Sequence, residues 1–147
     1  MKSRGQTQSS LSEAVLRYVD ARTAALIDAR RELRINELDA RAVLYIGANP
    51  GTRPGDLSSF LGITSAGVTT LIDRLVERAV VRRDVDPRDR RVNRIRVTVD
   101  LAEAPWSALT RFDAAFDNAV RASDDDSADG LAHAIMTFTD AATAAAR

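Results

Sequence analysis

The 147-residue chain has no cysteine, one histidine (His133) and only seven aromatic residues, namely one tryptophan, two tyrosines and four phenylalanines. Without cysteine it cannot form a disulfide, a zinc finger or a thiol redox sensor, and it offers no thiolate nucleophile. A histidine-dependent charge relay would need His133, which we interpret as a helix-surface or interface residue rather than a pH switch. The acidic run 124–126 is interpreted as a loop and helix cap. We therefore expect no enzyme, no metal and no cofactor.

The sequence also lacks a long hydrophobic run. No segment approaches the ~20 apolar residues that span a bilayer, and residues 1–10 lack the apolar stretch of a signal peptide. Hydrophobic residues nevertheless make up 45% of the chain, which is enough to bury a core. We expect a cytoplasmic protein with no membrane partner and a single domain over 1–147, of which 1–10 is a flexible N-terminus.

Neither charge sign is in excess, because 21 Lys+Arg and 21 Asp+Glu give a formal net charge of zero. The charges are nevertheless unevenly distributed. Residues 74–96 contain nine arginines and four acidic residues, a local charge of +5, whereas residues 97–147 contain three arginines and nine acidic residues, a local charge of −6. Because concentrated positive charge attracts anions, the middle of the chain is predicted to bind one.

Apolar residues at helical spacing predict two helices in the first third of the chain. A capping box of Ser10 and Glu13 begins the first helix, which should run to about Arg34. Asn36 is the predicted cap of the second helix, which ends at the turn sequence Asn49-Pro50-Gly51.

Two further helices follow in close succession. Thr52 is the predicted N-cap of a short third helix, Gly62 fits the left-handed position after its C-terminus, and Thr64 caps a fourth helix over about 65–78. Two helices joined by a three-residue turn with glycine are typical of a helix-turn-helix. The fourth helix is predicted to bury Val68, Leu71, Ile72 and Leu75 and to expose Ser65, Ala66, Thr69, Thr70, Asp73 and Arg74.

Beyond the fourth helix the apolar residues alternate as in strands. Residues 81–85 and 94–99 predict a hairpin with a polar tip between them. Asp100 and Glu103 are then expected to cap a helix of about 101–122, and a last helix should cover 127–146. The 15 alanines of residues 101–147 bury little area each, so the apolar stripes of these helices predict pairing with a second chain.

A helix-turn-helix followed by an arginine-bearing hairpin is a winged helix, and this order predicts binding to double-stranded DNA. The fourth helix would fit the major groove, where small side chains permit close approach and hydroxyls can bond phosphate or base edges. Arginines of the wing suit the narrow minor groove. The predicted DNA-binding residues are Ser65, Ala66, Thr69, Thr70, Arg74, Arg88, Arg90 and Arg91. We interpret Arg82, Arg83, Arg94 and Arg96 as sheet-surface residues.

The segments LSSFLGIT (57–64), VTTLIDRL (68–75) and DPRDRR (86–91) resemble the MarR (multiple antibiotic resistance regulator) family of bacterial transcription factors. The resemblance covers roughly residues 36–98. It implies that the fourth helix enters the major groove and that a wing over 86–93 lies along the minor groove. Within that wing it implies a tip at Arg91 with Arg90 beside it, and Asp89 paired with an arginine to hold the hairpin. Ala79 and Leu101 stand where the family often has glycine.

The resemblance also implies dimerisation through the flanking helices. The predicted architecture is mainly α with a small β-hairpin, in which a winged helix-turn-helix over 36–100 lies between dimerisation helices at 11–35 and 101–147. A small lipophilic or phenolic effector is a possible further partner. Its pocket, as in the resembled family, could be lined by three residues that ordinary core packing explains more simply, namely Tyr18, Tyr45 and Trp106.

The sequence thus predicts a homodimeric transcriptional regulator that binds a pseudo-palindromic site in double-stranded DNA. Repression by promoter occlusion, relieved by an effector, is the expected mode of action. The alternative is a winged-helix module that binds protein without DNA, and its binding would show no steep dependence on salt. An enzyme that uses a serine and a carboxylate is a third hypothesis, which a turnover assay would test.

Overall fold

The computed structural model describes residues 9–89, 92–123 and 127–146. Within these ranges, helices surround a single antiparallel hairpin, which confirms the predicted mainly α fold. The elements are α1 (Ser10–Leu33), α2 (Glu37–Ala48), α3 (Pro54–Leu61), α4 (Ser65–Glu77), β1 (Val81–Val85), β2 (Asn93–Val97), a 3₁₀ helix (Trp106–Leu109), α5 (Arg111–Ala122) and α6 (Ser127–Ala145). No helix in the described ranges is both long enough and apolar enough to cross a membrane.

The first two helices begin at side-chain caps. Ser9 is the N-cap of α1, and its Oγ accepts a hydrogen bond from the backbone N–H of Ser12 at 3.2 Å. The predicted cap at Ser10 is therefore wrong by one residue. Asn36 caps α2 as predicted, because its Oδ1 accepts from the N–H of Asp39 at 2.8 Å. Both bonds satisfy donors that the first turn of a helix leaves without an intrahelical partner.

The start of α3 differs from the prediction. Its N-cap is Arg53, followed by Pro54 in the first turn, where no backbone donor is lost. Thr52 does not cap the helix because it is buried and pairs with Ile95 of β2, accepting from the Ile95 N–H at 2.8 Å. Thr52 thereby forms an isolated β-bridge that connects the residues just before α3 to β2.

The turn between α3 and α4 has the predicted chemistry. Gly62 has a φ of 67°, a left-handed conformation that glycine adopts without strain. Thr64 caps α4, accepting from the N–H of Gly67 at 3.2 Å. Beyond this cap, the predicted apolar face of α4 is buried, as confirmed at Val68, Leu71, Ile72 and Leu75.

The sheet consists of β1 and β2, in a register that runs from Val81 opposite Val97 to Val85 opposite Asn93. The chain passes from α4 into β1 through Ala79, whose φ is 55°. A left-handed backbone costs a residue with a Cβ about 1–2 kcal/mol. Ala79 therefore adopts this turn at the cost of backbone strain.

The predicted helix over 101–122 is wrong in its first half. Turns occupy residues 101–105, the Ala104–Pro105 peptide is cis, and α5 begins only at Arg111, after the 3₁₀ helix. Proline has no N–H to donate and disfavours helical geometry in the residue before it, so a helix could not pass through this point unbroken.

The chain divides into two compact units, the first ending at Phe112 and the second beginning at Asp113. The first unit has an apolar core whose largest fully buried side chains are Ile46, Leu57, Ile72, Leu75, Ile95 and Leu109. By contrast, neither α5 nor α6 contains a buried residue. The fold therefore gives the helix-turn-helix and wing a common core, whereas the last two helices have none.

Candidate nucleic-acid interface

The outer face of α4 is small and uncharged over its first two turns. Ser65, Ala66, Thr69 and Thr70 are exposed there, while the opposite face packs into the core. The predicted division of this helix into two faces is confirmed. Because the exposed side chains are short, a partner could approach the helix backbone closely.

The two threonines of this face donate hydrogen bonds to their own helix. Thr69 Oγ1 donates to the carbonyl of Ser65 at 3.0 Å, and Thr70 Oγ1 donates to the carbonyl of Ala66 at 3.1 Å. Each hydroxyl proton is therefore committed, so the expected hydroxyl contacts are limited to accepting a bond. A partner meets the methyl groups of the threonines and the lone pairs of their hydroxyl oxygens.

Arg74, which was expected to reach phosphate from α4, is bound to a buried carboxylate instead. Its Nε donates to Oδ2 of Asp39 at 3.0 Å and its Nη2 donates to Oδ1 at 2.5 Å. The side chain of Asp39 is 3% exposed, against 42% for Arg74. Hydrogen bonding to Asp39 raises the pKa of Arg74. The pair joins the first turn of α2 to α4 and withdraws this cation from the outer face.

The sequence contained a signal for Asp39 that the predictions missed. Asp39 lies at positions i, i+4 and i+7 with Val43 and Ile46, both fully buried. A carboxylate on such an apolar stripe needs a partner, because an unpaired buried charge is costly. The identity of that partner was not predictable from local spacing, since 35 residues separate Asp39 from Arg74.

Asp86, which the sequence analysis did not single out, holds the base of the wing. Arg94 donates from Nε to Oδ2 of Asp86 at 2.9 Å and from Nη1 to the carbonyl of Gly51 at 3.2 Å. Asp86 Oδ1 also accepts the backbone N–H of Arg88 at 2.9 Å. Hydrogen bonds lower the pKa of Asp86. The bond from the Arg88 N–H has the largest effect and the bond from the Arg94 guanidinium the next largest. The wing backbone next to Arg88 is thus fixed by a charged carboxylate.

The tip of the wing is only partly described. The carbonyl of Asp89 accepts the N–H of Val92 at 3.0 Å, which closes the turn. The pairing of the Asp89 carboxylate with an arginine, implied by the family resemblance, stays a prediction. Arg90 and Arg91 lie outside the described residues.

Much of the positive charge between residues 74 and 96 is neutralised inside the first unit. Of the nine arginines in this segment, seven are described, and six of those seven donate to a carboxylate or a backbone carbonyl. Besides the pairs above, Arg82 and Arg96 share Asp84, Arg83 binds Asp73, and Arg78 binds the carbonyls of Leu33 and Arg34. Within the described part of the chain, the guanidinium of Arg88 is the one in this set that makes no hydrogen bond or ion pair, and it is exposed.

The three aromatic residues proposed for an effector pocket have separate packing contacts. The ring of Tyr18 lies 5.7 Å from that of Phe112, and the ring of Tyr45 stacks on Phe60 at 4.1 Å. Trp106 is half-buried against the core. A groove of about 330 Å³ between α1 and α2 is lined by none of these three aromatics. The proposed pocket therefore stays a prediction.

This arrangement defines the class of the protein. A helix-turn-helix with a small, polar outer face, followed by an arginine-bearing hairpin, is a winged helix-turn-helix. The MarR family model matches residues 35–92, and over this segment the chain is similar to the MarR family. The class that this arrangement and the match define is a DNA-binding transcriptional regulator.

Solved structures share the fold over nearly the whole chain. RV1404 from Mycobacterium tuberculosis gives a TM-score of 0.67 at 18% identity, covering 96% of this chain and 98% of that one. FabT of Streptococcus pneumoniae in complex with DNA gives 0.62 at 18% identity, covering 92% and 99%. MepR of S. aureus bound to ethidium bromide gives 0.63 at 16% identity, covering 89% and 95%. Comparison with curated proteins gives no match.

Proposed function

We propose that the chain binds a pseudo-palindromic site in double-stranded DNA as a homodimer and represses transcription by occluding the promoter. The outer face of α4 enters the major groove and the wing lies along the minor groove. The observation that carries this proposal is the position of Arg88. Among the described arginines of residues 74–96, Arg88 alone has no internal partner, and it lies on the wing. On α4, by contrast, Arg74 is bound to Asp39.

The wing is suited to this role because its arginine is held at the backbone. Asp86 binds the N–H of Arg88, and Arg94 ties Asp86 to Gly51. A side chain on a fixed backbone loses less conformational freedom when it binds. The narrow minor groove has an enhanced negative potential that attracts guanidinium groups. Arg90 and Arg91 follow in sequence and add to the same contact.

The exposed apolar surface of the terminal helices supports a second copy as the partner. α5 and α6 are 12 and 19 residues long and contain no buried residue, whereas helices in proteins gain most of their stability by packing an apolar face against a partner. Large apolar side chains are exposed on α1, α5 and α6, namely Val15, Leu16, Val19, Phe116, Val120, Leu131, Met136 and Phe138. Two-fold pairing would cover them and present two copies of α4, with half-sites centred roughly 10 bp apart.

We propose in addition that a small lipophilic or phenolic effector releases the protein from DNA. The complex of MepR with ethidium bromide supports a ligand of this kind on the shared fold. Besides the predicted site at Tyr18, Tyr45 and Trp106, the groove between α1 and α2 is a second candidate, because Leu26, Ile27 and Leu44 are among the residues that line it.

Selection of duplexes from a random-sequence library by the purified protein tests the proposal. We expect enrichment of a palindrome with half-sites about 10 bp apart, bound by a particle of twice the chain mass of 16.0 kDa. The logarithm of the binding constant should fall linearly with the logarithm of the salt concentration. Failure to retain any duplex at low salt, or binding that does not respond to salt, would contradict the proposal and favour a protein partner.

A further inference from the structure

The outer face of α4 lacks the side chains that read guanine or adenine through paired hydrogen bonds. Major-groove recognition of guanine commonly uses arginine or lysine, and recognition of adenine uses asparagine or glutamine. The α4 sequence SAGVTTLIDRLVE contains none of these except Arg74, which both Asp39 oxygens bind. The acidic Asp73, on the same face, is bound by Arg83.

The two threonines cannot replace the missing donors. Each hydroxyl proton is directed at a carbonyl of the preceding helical turn, at 3.0 Å for Thr69 and 3.1 Å for Thr70. Guanine presents only acceptors, N7 and O6, in the major groove. A threonine oxygen whose proton is committed can accept a bond but cannot donate to either atom.

Methyl groups are the feature that this face does present. Ala66, Thr69 and Thr70 are all exposed and each carries a methyl group. In the major groove the apolar feature of DNA is the 5-methyl group of thymine, which alanine and threonine methyls contact. The short side chains allow the close approach that such contacts need.

We propose that α4 reads its half-site through thymine 5-methyl groups, with Ala66, Thr69 and Thr70 as the specificity-determining residues. The inference rests on the proposed function and adds the chemistry of the bases that are recognised. The half-sites are therefore rich in A·T pairs, with thymines at the positions that face α4. Ser65, in the first turn of the helix, is left for the phosphate backbone.

The test replaces thymines of the duplex selected from the random library by uracil, one position at a time. Uracil differs from thymine only by the missing 5-methyl group. We expect the affinity of the unaltered protein to fall about fourfold at each contacted thymine, the value of one buried methylene-sized group. Uracil at thymines outside the half-sites should have no effect.

Two variants of Thr69 separate its methyl from its hydroxyl. Thr69→Ser keeps the hydroxyl and removes the methyl, so it should abolish the sensitivity to uracil at one position of each half-site. Thr69→Val keeps the methyl and should retain that sensitivity. Thr137→Ser is the matched control, because the Thr137 hydroxyl makes the same bond to its own helix, to the His133 carbonyl at 2.9 Å, and α6 is not part of the helix-turn-helix.

The possible outcomes are distinct. If the selected duplex binds and uracil changes nothing, or if Thr69→Ser stays sensitive while Thr69→Val does not, methyl readout is wrong although DNA binding stands. Selection of G·C-rich half-sites would overturn it as well. If no duplex is retained, the proposed function fails and the inference fails with it.

Discussion

α4 and the wing differ in whether their charged side chains are paired within the protein. On α4, Arg74 and Asp73 are both bound to residues of other elements, and the outer face is left with hydroxyl and methyl groups. On the wing, Asp86 holds the backbone of Arg88 and leaves its guanidinium exposed. Under the proposed function, base discrimination therefore belongs to α4 and most of the electrostatic attraction to the wing. Variants that change one element should leave the contribution of the other intact.

The largest effect is expected from Asp39→Ala, which leaves the Arg74 cation without its carboxylate. The free energy of unfolding should fall by about 2 kcal/mol in urea denaturation, as for lost hydrogen bonds to a charged group. This is below the roughly 3–5 kcal/mol of fully buried pairs, because the Arg74 side chain is 42% exposed and stays hydrated.

A surface ion pair provides the matched control for Asp39. Asp28 pairs with Arg31 within α1, and these side chains are 76% and 77% exposed, so Asp28→Ala should cost at most about 0.5 kcal/mol. The double variant Asp39→Ala with Arg74→Ala should recover part of the loss, since no uncompensated cation remains. Equal costs for the two aspartate variants would show that the pair does not anchor α4.

A smaller effect is expected on DNA binding from Arg88→Ala. Loss of one charge-assisted contact of about 1.5 kcal/mol from each protomer should weaken binding roughly tenfold per half-site at low salt, on every duplex alike. The slope of log K against log salt should become shallower by about 0.9 for each protomer, or about 1.8 for the dimer. Arg82→Ala is the control, because Arg82 is also exposed on the hairpin but is paired with Asp84. If both variants change the slope equally, the internal pairing of arginines does not decide which of them binds DNA.

A still smaller effect, of opposite sign, is expected at the junction between α4 and the wing. Ala79→Gly relieves a left-handed backbone with a φ of 55° and should raise the free energy of unfolding by up to about 1 kcal/mol. Ala114→Gly, at an exposed position inside α5, should instead lower it by roughly 0.5–1 kcal/mol. DNA affinity should not change in either variant. Thermal or urea unfolding that gives both variants the same sign would refute the strain at Ala79.

The smallest effect concerns pH. The pKa of Asp86 is lowered by the Arg88 N–H and by Arg94, so its stabilising contribution is complete above the unfolded-state value of about 3.9. That contribution is lost only as the pH falls through the lowered pKa. We expect the wing to contribute no change in DNA affinity between about pH 5 and 8. Below that range, unfolding measurements should show a steeper loss of stability for the unaltered protein than for Asp86→Asn.

Local features of the fold were predictable because neighbouring residues determine them. The caps at Asn36 and Thr64, the left-handed Gly62 and the two faces of α4 each depend on residues within one or two helical turns. The break before α5 also had a local signal in Pro105, which outweighs the helical pattern around it.

The features that were not predicted depend on residues distant in sequence. Thr52 looked like a cap until β2 supplied a pairing partner at Ile95. Arg74 was predicted to be exposed but is bound to Asp39 of α2. Arg94 donates to the carbonyl of Gly51, which is 43 residues away in sequence. Side-chain pairs of this kind follow from how the helices pack, and spacing along one helix does not reveal them. The candidate interface therefore kept its α4 face and lost one of its cations.

The most direct test of the division between α4 and the wing is a salt titration of DNA binding by Arg88→Ala and Thr69→Ser, side by side. Each variant is measured on the selected duplex and on a random-sequence duplex. We expect Arg88→Ala to make the slope shallower by about 1.8 on both duplexes, or about 0.9 for each protomer of the dimer. Thr69→Ser should keep the slope and lose affinity only for the selected duplex. The division would be contradicted if Thr69→Ser weakened both duplexes equally, or if Arg88→Ala kept the slope and lost affinity for the selected duplex alone.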